Sequence, residues 1–152
     1  MEVRAPAAGR VVDLAEVPDP VFAAAMVGPG LALEPRTGGA TGVLAARAPV
    51  AGNLKVAHPH AFVVQAPGGA VMVHLGIDTI SLHGDGFEML VPKGEDVAAG
   101  DDVVRWDPDA VAAAGLAPLV VVIALGAKAG DLEIAAPAGT DVLPGDVLFR
   151  WT

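Results

Sequence analysis

Short apolar runs separated by glycine and proline dominate the chain. Residues 3–14 have the pattern of a strand broken by Pro6 and Gly9, residues 31–35 are another strand candidate, and residues 119–125 are continuously apolar. Short apolar runs bounded by turn-forming residues are typical of β-strands, and a continuous run is typical of a strand buried on both faces. The pattern therefore predicts an all-β fold of many short strands, with residues 36–39 as one of the loops.

The pattern around residues 58–79 predicts a β-hairpin, because the apolar runs 61–64 and 70–75 flank a loop rich in glycine and proline. If residues 66–68 form a three-residue loop, counting outward places His60 opposite His74. Directly opposed residues share one face of a sheet, with Cβ atoms roughly 4.5–5.5 Å apart. The hairpin is therefore expected to bring two imidazoles together. The other residues predicted on this face are Phe62, Val64 and Met72.

Two Asp-Pro pairs mark predicted helix starts, since aspartate favours the N-cap and proline the first helical position. Asp19-Pro20 predicts a short turn or a single helical turn. Asp107-Pro108 is followed by alanines and stopped by Gly115, which predicts one short helix covering the strands as a lid or plug.

An internal repeat supports the prediction of an all-β fold and adds an expectation about its symmetry. Residues 91–106 (VPKGEDVAAGDDVVRW) and 136–151 (APAGTDVLPGDVLFRW) are each 16 residues long, lie 45 positions apart and are identical at eight positions. Duplication of this kind is an architectural signal. It predicts two equivalent corners of an antiparallel β-sandwich or flattened barrel.

Composition narrows the classes of function. The 152 residues are 53% hydrophobic and show no linker, so a single domain over 1–152 is expected. The net charge of −9 disfavours nucleic-acid binding and favours basic protein surfaces as partners. No apolar run is long enough to span a bilayer and no signal peptide is evident, so a cytoplasmic protein is expected. The chain has no cysteine, which excludes thiol catalysis and Cys-ligated zinc.

Histidine is then the main candidate for chemistry. His58-x-His60 resembles the zinc-binding His-x-His of lysostaphin-type endopeptidases, and His74 could be a third ligand, but the upstream His-x-x-x-Asp of that family is missing. Phosphoryl carriage on histidine fits better, because one imidazole can be the nucleophile while a second holds the phosphoryl oxygens. Backbone N–H groups after Gly76 could add oriented donors without any metal. No cofactor is expected.

Several segments then carry a family resemblance. VHLGIDT (73–79) closely resembles the phosphorylation motif of the glucose-type EIIA component of the bacterial phosphoenolpyruvate:sugar phosphotransferase system. His60-Ala61-Phe62 resembles the segment that holds the second histidine of that family. Further similar segments are APAAGRVVDLAEVPDPVF, VGPGLALEP, APVAGNL and GDGFEMLVPKGEDVAAGD, so the resemblance covers nearly the whole chain.

The resemblance implies a phosphotransferase that relays phosphate from the phosphocarrier HPr to the EIIB domain of an EIIB/EIIC sugar permease. His74 would be phosphorylated and His60 would stabilise the phosphoryl group. Asp19 and Asp78 match acidic positions that meet an arginine of HPr. The nonpolar docking surface for donor and acceptor would include Phe22, Val56 and Met72.

His58 departs from the family pattern, because a threonine usually stands there and orients the second histidine. The site is expected to be intact if His58 makes that orienting bond instead. An N-terminal membrane-binding tail is not expected, so membrane association is expected only through the permease. Two alternatives stay open: a regulatory module that binds permeases or metabolic kinases according to its phosphorylation state, and a zinc hydrolase.

Overall fold

The computed structural model describes residues 1–36 and 42–152, which form an almost entirely antiparallel β structure. The predicted loop at residues 36–39 lies, apart from Arg36, outside the described residues. The strands are β1 (Glu2–Arg4), β2 (Gly9–Asp13), β3 (Gly30–Pro35), β4 (Leu44–Arg47), β5 (Gly52–His58), β6 (Ala61–Ala66), β7 (Gly69–Leu75), β8 (Phe87–Met89), β9 (Asp96–Val97), β10 (Asp102–Trp106), β11 (Val120–Ala124), β12 (Leu132–Ile134), β13 (Asp141–Val142) and β14 (Val147–Trp151). The helices are α1 (Pro20–Ala23) and α2 (Pro108–Ala113), with 3-10 turns at Leu14–Glu16, Thr79–Leu82 and Ala129–Asp131.

The strands form one large sheet and two small ones. The large sheet has the order β13-β2-β3-β11-β7-β6-β5-β9, and the small sheets have the orders β1-β14-β12 and β4-β10-β8. The main core contains the inward side chains of the large sheet, such as Phe62 and Val122, together with Trp106 and Phe149 of the small sheets. The predicted antiparallel sandwich is confirmed.

The central strand β11 is buried on both faces, as its continuous apolar sequence predicts. All five residues are fully buried. Val120, Val122 and Ala124 belong to the main core, whereas Val121 and Ile123 belong to a second, smaller apolar cluster on the opposite face of the large sheet. We call that opposite face the outer face. It carries the candidate site.

The repeated segments have the same local structure, as predicted. β9 and β13 begin at Asp96 and Asp141, and β10 and β14 end at Trp106 and Trp151, so corresponding strands lie 45 positions apart. Asp101 accepts a hydrogen bond from the Ala98 amide at 2.8 Å, and Asp146 accepts the matching bond from the Leu143 amide at 2.8 Å.

Both predicted helix starts are confirmed. The Asp19 carboxylate accepts hydrogen bonds from the amides of Val21 and Phe22, and Asp107 caps α2 in the same way. Such bonds satisfy amides that a helix leaves without internal partners. α2 packs on the main core through Val111, which is 2% exposed. α1 instead packs on the outer face.

Candidate functional site

The hairpin β6–β7 carries the site, but its register differs from the predicted one by one residue. Ala61, not His60, lies opposite His74, and Ala66 pairs with Gly69. The loop therefore consists of two residues, Pro67 and Gly68, instead of three. A slip of one residue exchanges the two faces of a strand.

The faces assigned to several hairpin residues from the sequence are accordingly wrong. Phe62 and Val64 point into the main core, together with Val71 and Val73 of β7. His60 nevertheless meets His74, because it lies in the turn between β5 and β6 and not on the strand. The imidazole centroids are 5.4 Å apart, at an angle of 73°.

A β-bulge in β5 sets which of its residues reach the outer face. The register of the β5–β6 pair shifts between Leu54 and Val56. Beyond this shift Val56 lies opposite Val63 and His58 lies opposite Ala61. Bulges re-aim side chains and are common beside functional sites.

Two cross-strand rows therefore cross the outer face. The first row runs His58, Ala61, His74 and Val121, and the second runs Val56, Val63, Met72 and Ile123. The predicted docking residues Val56 and Met72 thus share a row beside the histidine row. Both are partly exposed.

Helix α1 covers one side of His74. The ring of Phe22 packs edge-on against the imidazole, with centroids 5.2 Å apart at 64°. Phe22 is 9% exposed and belongs to the outer-face cluster with Leu14, Val17 and Ile77. Asp19, the N-cap that starts α1, therefore also helps to position the ring of Phe22 beside the imidazole of His74.

The two ring nitrogens of His74 have different environments. Nδ1 lies 2.6 Å from the carbonyl oxygen of Gly76. A carbonyl can only accept a hydrogen bond, so Nδ1 carries the proton and, in the neutral ring, Nε2 keeps its lone pair. Burial lowers the pKa of His74, while the Gly76 bond and the charges of Asp19 and Asp78 oppose that shift. The ring is therefore a neutral nucleophile near neutral pH.

His60 is also held neutral. Burial is the largest cause of its lowered pKa, and the neighbouring imidazoles of His74 and His58 lower the pKa further. Its carbonyl accepts a hydrogen bond from the Leu75 amide at 2.7 Å, which ties the turn to the end of β7. A neutral imidazole next to Nε2 of His74 can donate one N–H to an anion bound there.

The loop after β7 is fixed by Thr79. This residue is fully buried, and its hydroxyl donates to the Leu75 carbonyl at 2.6 Å. Gly76 and Asp78 have φ angles of 78° and 60°, the left-handed region that costs energy for a side chain such as that of Asp78. No role was predicted for Thr79 from the sequence, although it is the last residue of the VHLGIDT motif.

The amides predicted to hold phosphoryl oxygens are only partly free. The N–H of Gly76 donates to the Leu119 carbonyl at 2.8 Å, and that of Ile77 donates to the Ala117 carbonyl at 2.9 Å. Gly76 thus serves the site through its carbonyl, and the expectation for the Ile77 amide is wrong. The Asp78 amide has no protein acceptor within residues 1–36 and 42–152.

The condition set for His58, an orienting hydrogen bond to His60 in place of the usual threonine, is not met. Among the described residues no bond joins its ring to that of His60; the two rings are instead stacked, with centroids 5.7 Å apart at 15°. Both line a cavity of about 320 Å³ together with Pro59, Ile80 and His83.

The described part of the chain holds no group of three or more His, Cys, Asp or Glu arranged to bind a metal ion. The three imidazoles at the site thus do not form the ligand set that a zinc hydrolase needs. Nor does any helix within this part have the length and apolar character required to cross a membrane.

Comparison with known proteins points to one family. The family model for the phosphoenolpyruvate-dependent sugar phosphotransferase system, EIIA 1, matches residues 1–129. A solved structure of glucose permease IIA from Mycoplasma capricolum superposes with a TM-score of 0.84 at 34% identity, covering 98% of this chain and 94% of that one.

Two curated relatives differ in length. The glucose-specific EIIA component of Halalkalibacterium halodurans is 38% identical over 125 residues, which cover 78% of this chain and 69% of the relative. The glucose-specific EIIBCA component of Corynebacterium glutamicum is 38% identical over 134 residues, and the match covers 87% of this chain but only 19% of the relative. These relatives favour neither the regulatory module nor the zinc hydrolase.

Proposed function

Because the chain belongs to the EIIA 1 family of the phosphoenolpyruvate-dependent sugar phosphotransferase system, and within it to the glucose type, we propose that it is a phosphoryl relay. His74 accepts a phosphoryl group from phospho-HPr and passes it to the EIIB domain of a sugar permease. The relay is one EIIA domain over residues 1–152 and acts in the cytoplasm. The observation that carries the proposal is the hydrogen bond from Nδ1 of His74 to the Gly76 carbonyl, which leaves Nε2 as the nucleophile.

In the accepting step, the Nε2 lone pair attacks the phosphorus of the donor phosphohistidine. The new N–P bond forms as the donor N–P bond breaks, and the bonding electrons return to the donor imidazole. His74 then carries a positive ring and a phosphoryl dianion. The Gly76 carbonyl and the carboxylates of Asp19 and Asp78 stabilise that positive charge, and both carboxylates already act on His74 in this direction.

The neutral His60 ring holds the phosphoryl oxygens through its N–H without competing for the group. Phosphoryl transfer passes through a loose transition state, so most of the catalysis is positioning and electrostatic stabilisation. His60 can do both, because its centroid lies 5.4 Å from that of His74 and burial lowers its pKa. No metal is required for this step.

The surroundings of the site suit two successive protein partners. Asp19 and Asp78 provide negative charge for a cationic side chain of HPr. Phe22, Val56 and Met72 provide an apolar surface on the same face for HPr and for EIIB. A shared apolar surface with charge at its edge is typical of partners that bind and release quickly.

Phosphorylation in vitro tests the assignment of His74. The chain is incubated with phosphoenolpyruvate and the upstream carrier proteins, and we expect acid-labile phosphate on the wild type and none on His74→Ala. His83→Asn is the matched control, because His83 has φ of 52° and asparagine tolerates that conformation. The assignment is wrong if no acid-labile phosphate forms or if His74→Ala still takes it up.

The role of His60 is tested by separating acceptance from delivery. His60→Gln leaves the nucleophile intact, so we expect it to accept phosphate from HPr. It lacks the imidazole that stabilises the group during transfer, so we expect it to fail to deliver phosphate to EIIB. Unimpaired delivery by His60→Gln, measured as loss of label from the purified phosphoprotein, would refute the role given to His60.

A further inference from the structure

All four histidines of the chain gather at one end of the hairpin. His58, His60 and His83 line the same cavity, and His60 also meets His74. The relay described above uses only two of them. His58 is the nearer of the other two, since its ring stacks on that of His60.

The ring of His60 is bounded by other rings and not by hydrogen bonds. In residues 1–36 and 42–152, neither of its nitrogens has a protein hydrogen-bond partner, although its backbone carbonyl is held by Leu75. One side of the ring meets the edge of His74, at 73°, and its face lies nearly parallel to that of His58, at 15°. The face of His58 and the edge of His74 therefore bound the His60 ring on two sides.

The backbone holds His58 firmly in this place. It ends β5 opposite Ala61, and the bulge between Leu54 and Val56 puts it on the outer face. Pro59 follows, and a residue before proline is confined to extended conformations. The backbone thus places His58 beside His60, and its exposed ring lies against the ring of His60.

We propose that His58 is a positioning residue for His60 and acts through the stacked face of its ring. This inference rests on the proposed relay. When the phosphoryl group leaves His74 for the acceptor, the His60 N–H has to stay directed at the phosphoryl oxygens. A ring that can turn freely loses that direction, which lowers the rate of delivery.

The stacked ring also affects protonation. The charged form of His58 opposes protonation of His60 and lowers its pKa, as His74 does from β7. The remaining titratable group at this cavity is His83, after the 3-10 turn at Thr79–Leu82, while Asp19 and Asp78 act on His74. Two parallel imidazoles cannot both be charged without repulsion, which adds to the burial that already lowers the pKa of His60.

Two substitutions separate the ring face from the ring nitrogens. His58→Phe keeps a flat aromatic face and removes both nitrogens, whereas His58→Ala removes the face as well. We expect delivery to EIIB to fall about tenfold in His58→Ala and to return to within about twofold of wild type in His58→Phe. Acceptance from HPr is expected to change little in either variant, and His83→Asn, in the same cavity, is expected to deliver like wild type.

Nuclear magnetic resonance of the isolated protein tests the stack without any phosphoryl donor. The pKa of His60, read from its ring signals, is expected to rise in His58→Ala, because this variant loses part of the burial that lowers the pKa and also the neighbouring His58 charge. Contacts between ring 58 and ring 60 are expected in the wild type and in His58→Phe.

Delivery at wild-type rate by His58→Ala, or a defect in His58→Phe equal to that in His58→Ala, would overturn the inference. The absence of contacts between ring 58 and ring 60 in the wild type would also overturn it. If the wild type accepts no phosphate, the proposed relay itself is wrong. The resonance contacts between ring 58 and ring 60 then still test whether the two rings stack.

Discussion

At the scale of single residues, the most informative contact is the bond between Nδ1 of His74 and the Gly76 carbonyl. It assigns the proton to one nitrogen and the lone pair to the other. Burial alone would make the ring neutral but would leave both tautomers open. The carbonyl removes that ambiguity, so the backbone of Gly76 belongs to the site.

The lowered pKa values of His60 and His74 predict how stability depends on pH. Both lie below the ordinary value of 6.5, mainly because of burial, so just below pH 6.5 the unfolded chain binds more protons than the folded one. The free energy of unfolding is therefore greatest above that pH and falls as the pH drops through the window beneath it. Urea unfolding at about pH 7.5 and about pH 5.5 measures the loss.

The double variant His60→Gln/His74→Gln checks which groups cause this loss. It lacks both buried imidazoles, so its stability is expected to fall less between the two pH values than that of the wild type. An equal fall in both proteins would show that other groups are responsible.

The identity of the two site histidines could be predicted from the sequence, but their geometry could not. Periodicity and motif both indicated His60 and His74. The register depended on whether the loop had two or three residues, and Ala66-Pro67-Gly68-Gly69 is compatible with both. The stacking of His58 on His60 depends on side-chain orientation, which strand patterns do not specify.

At the scale of elements, α1 and α2 start in the same way but serve different surfaces. Asp19 caps α1 with bonds of 2.9 and 3.3 Å, and Asp107 caps α2 with bonds of 3.0 and 3.3 Å. α1 contacts the His74 ring through Phe22, whereas α2 packs on the main core through Val111. The two caps thus form a matched pair for experiment.

We expect Asp19→Ala and Asp107→Ala each to lower the free energy of unfolding by about 1 kcal/mol, as is usual for loss of an N-cap. Only Asp19→Ala is expected to slow phosphate uptake, because it loosens the wall that Phe22 forms beside His74. Thermal unfolding and the phosphorylation assay measure the two effects.

Asp19→Asn separates the cap from the charge. Asparagine caps helices about as well as aspartate, so stability should stay close to wild type while uptake from HPr falls. Equal uptake by Asp19→Ala and Asp107→Ala would contradict the role given to α1.

The helix starts were predictable because Asp-Pro is a local signal. The bulge in β5 was not, because no glycine or proline marks the shift between Leu54 and Val56. Its position is set by pairing with β6, a tertiary effect. Without the shift, strand alternation would turn Val56 and His58 away from the outer face.

At the scale of the whole molecule, each repeated segment bonds to its own short partner segment, Gly100 to Ala48 and Gly145 to Ala5, and these two partner segments bond to each other. The Arg4 amide donates to the Pro49 carbonyl at 3.0 Å, and the Arg47 amide donates to the Pro6 carbonyl at 2.9 Å. The turns between β9 and β10 and between β13 and β14 occupy equivalent places. The duplication in the sequence was sufficient to predict this equivalence, but not the reciprocal bonds.

We expect replacement of either of the two equivalent turn glycines by alanine to lower the free energy of unfolding by the same amount. Gly100 and Gly145 have φ angles of 93° and 92°, and a Cβ at either position would meet nothing within 4 Å. Replacement by alanine therefore costs only backbone strain, about 1–2 kcal/mol at each site. Denaturant unfolding of the two single variants and the double variant measures these costs.

The two substitutions share no partner, since Gly100 donates to Ala48 and Gly145 donates to Ala5. The double variant is therefore expected to lose the sum of the two single effects. Markedly unequal single effects, or a double loss far from the sum, would argue against the equivalence of the two turns.

The pairing of β1 with β14 has a consequence for biosynthesis. The Met1 amino group donates to the Trp151 carbonyl at 2.8 Å, a contact between residues 150 positions apart. During translation, the first strand leaves the ribosome long before its partner strand exists. Its sheet stays open until nearly all of these residues have emerged, and contacts between such distant residues form slowly. The nascent chain therefore carries an unpaired strand edge at β1 until β14 has emerged.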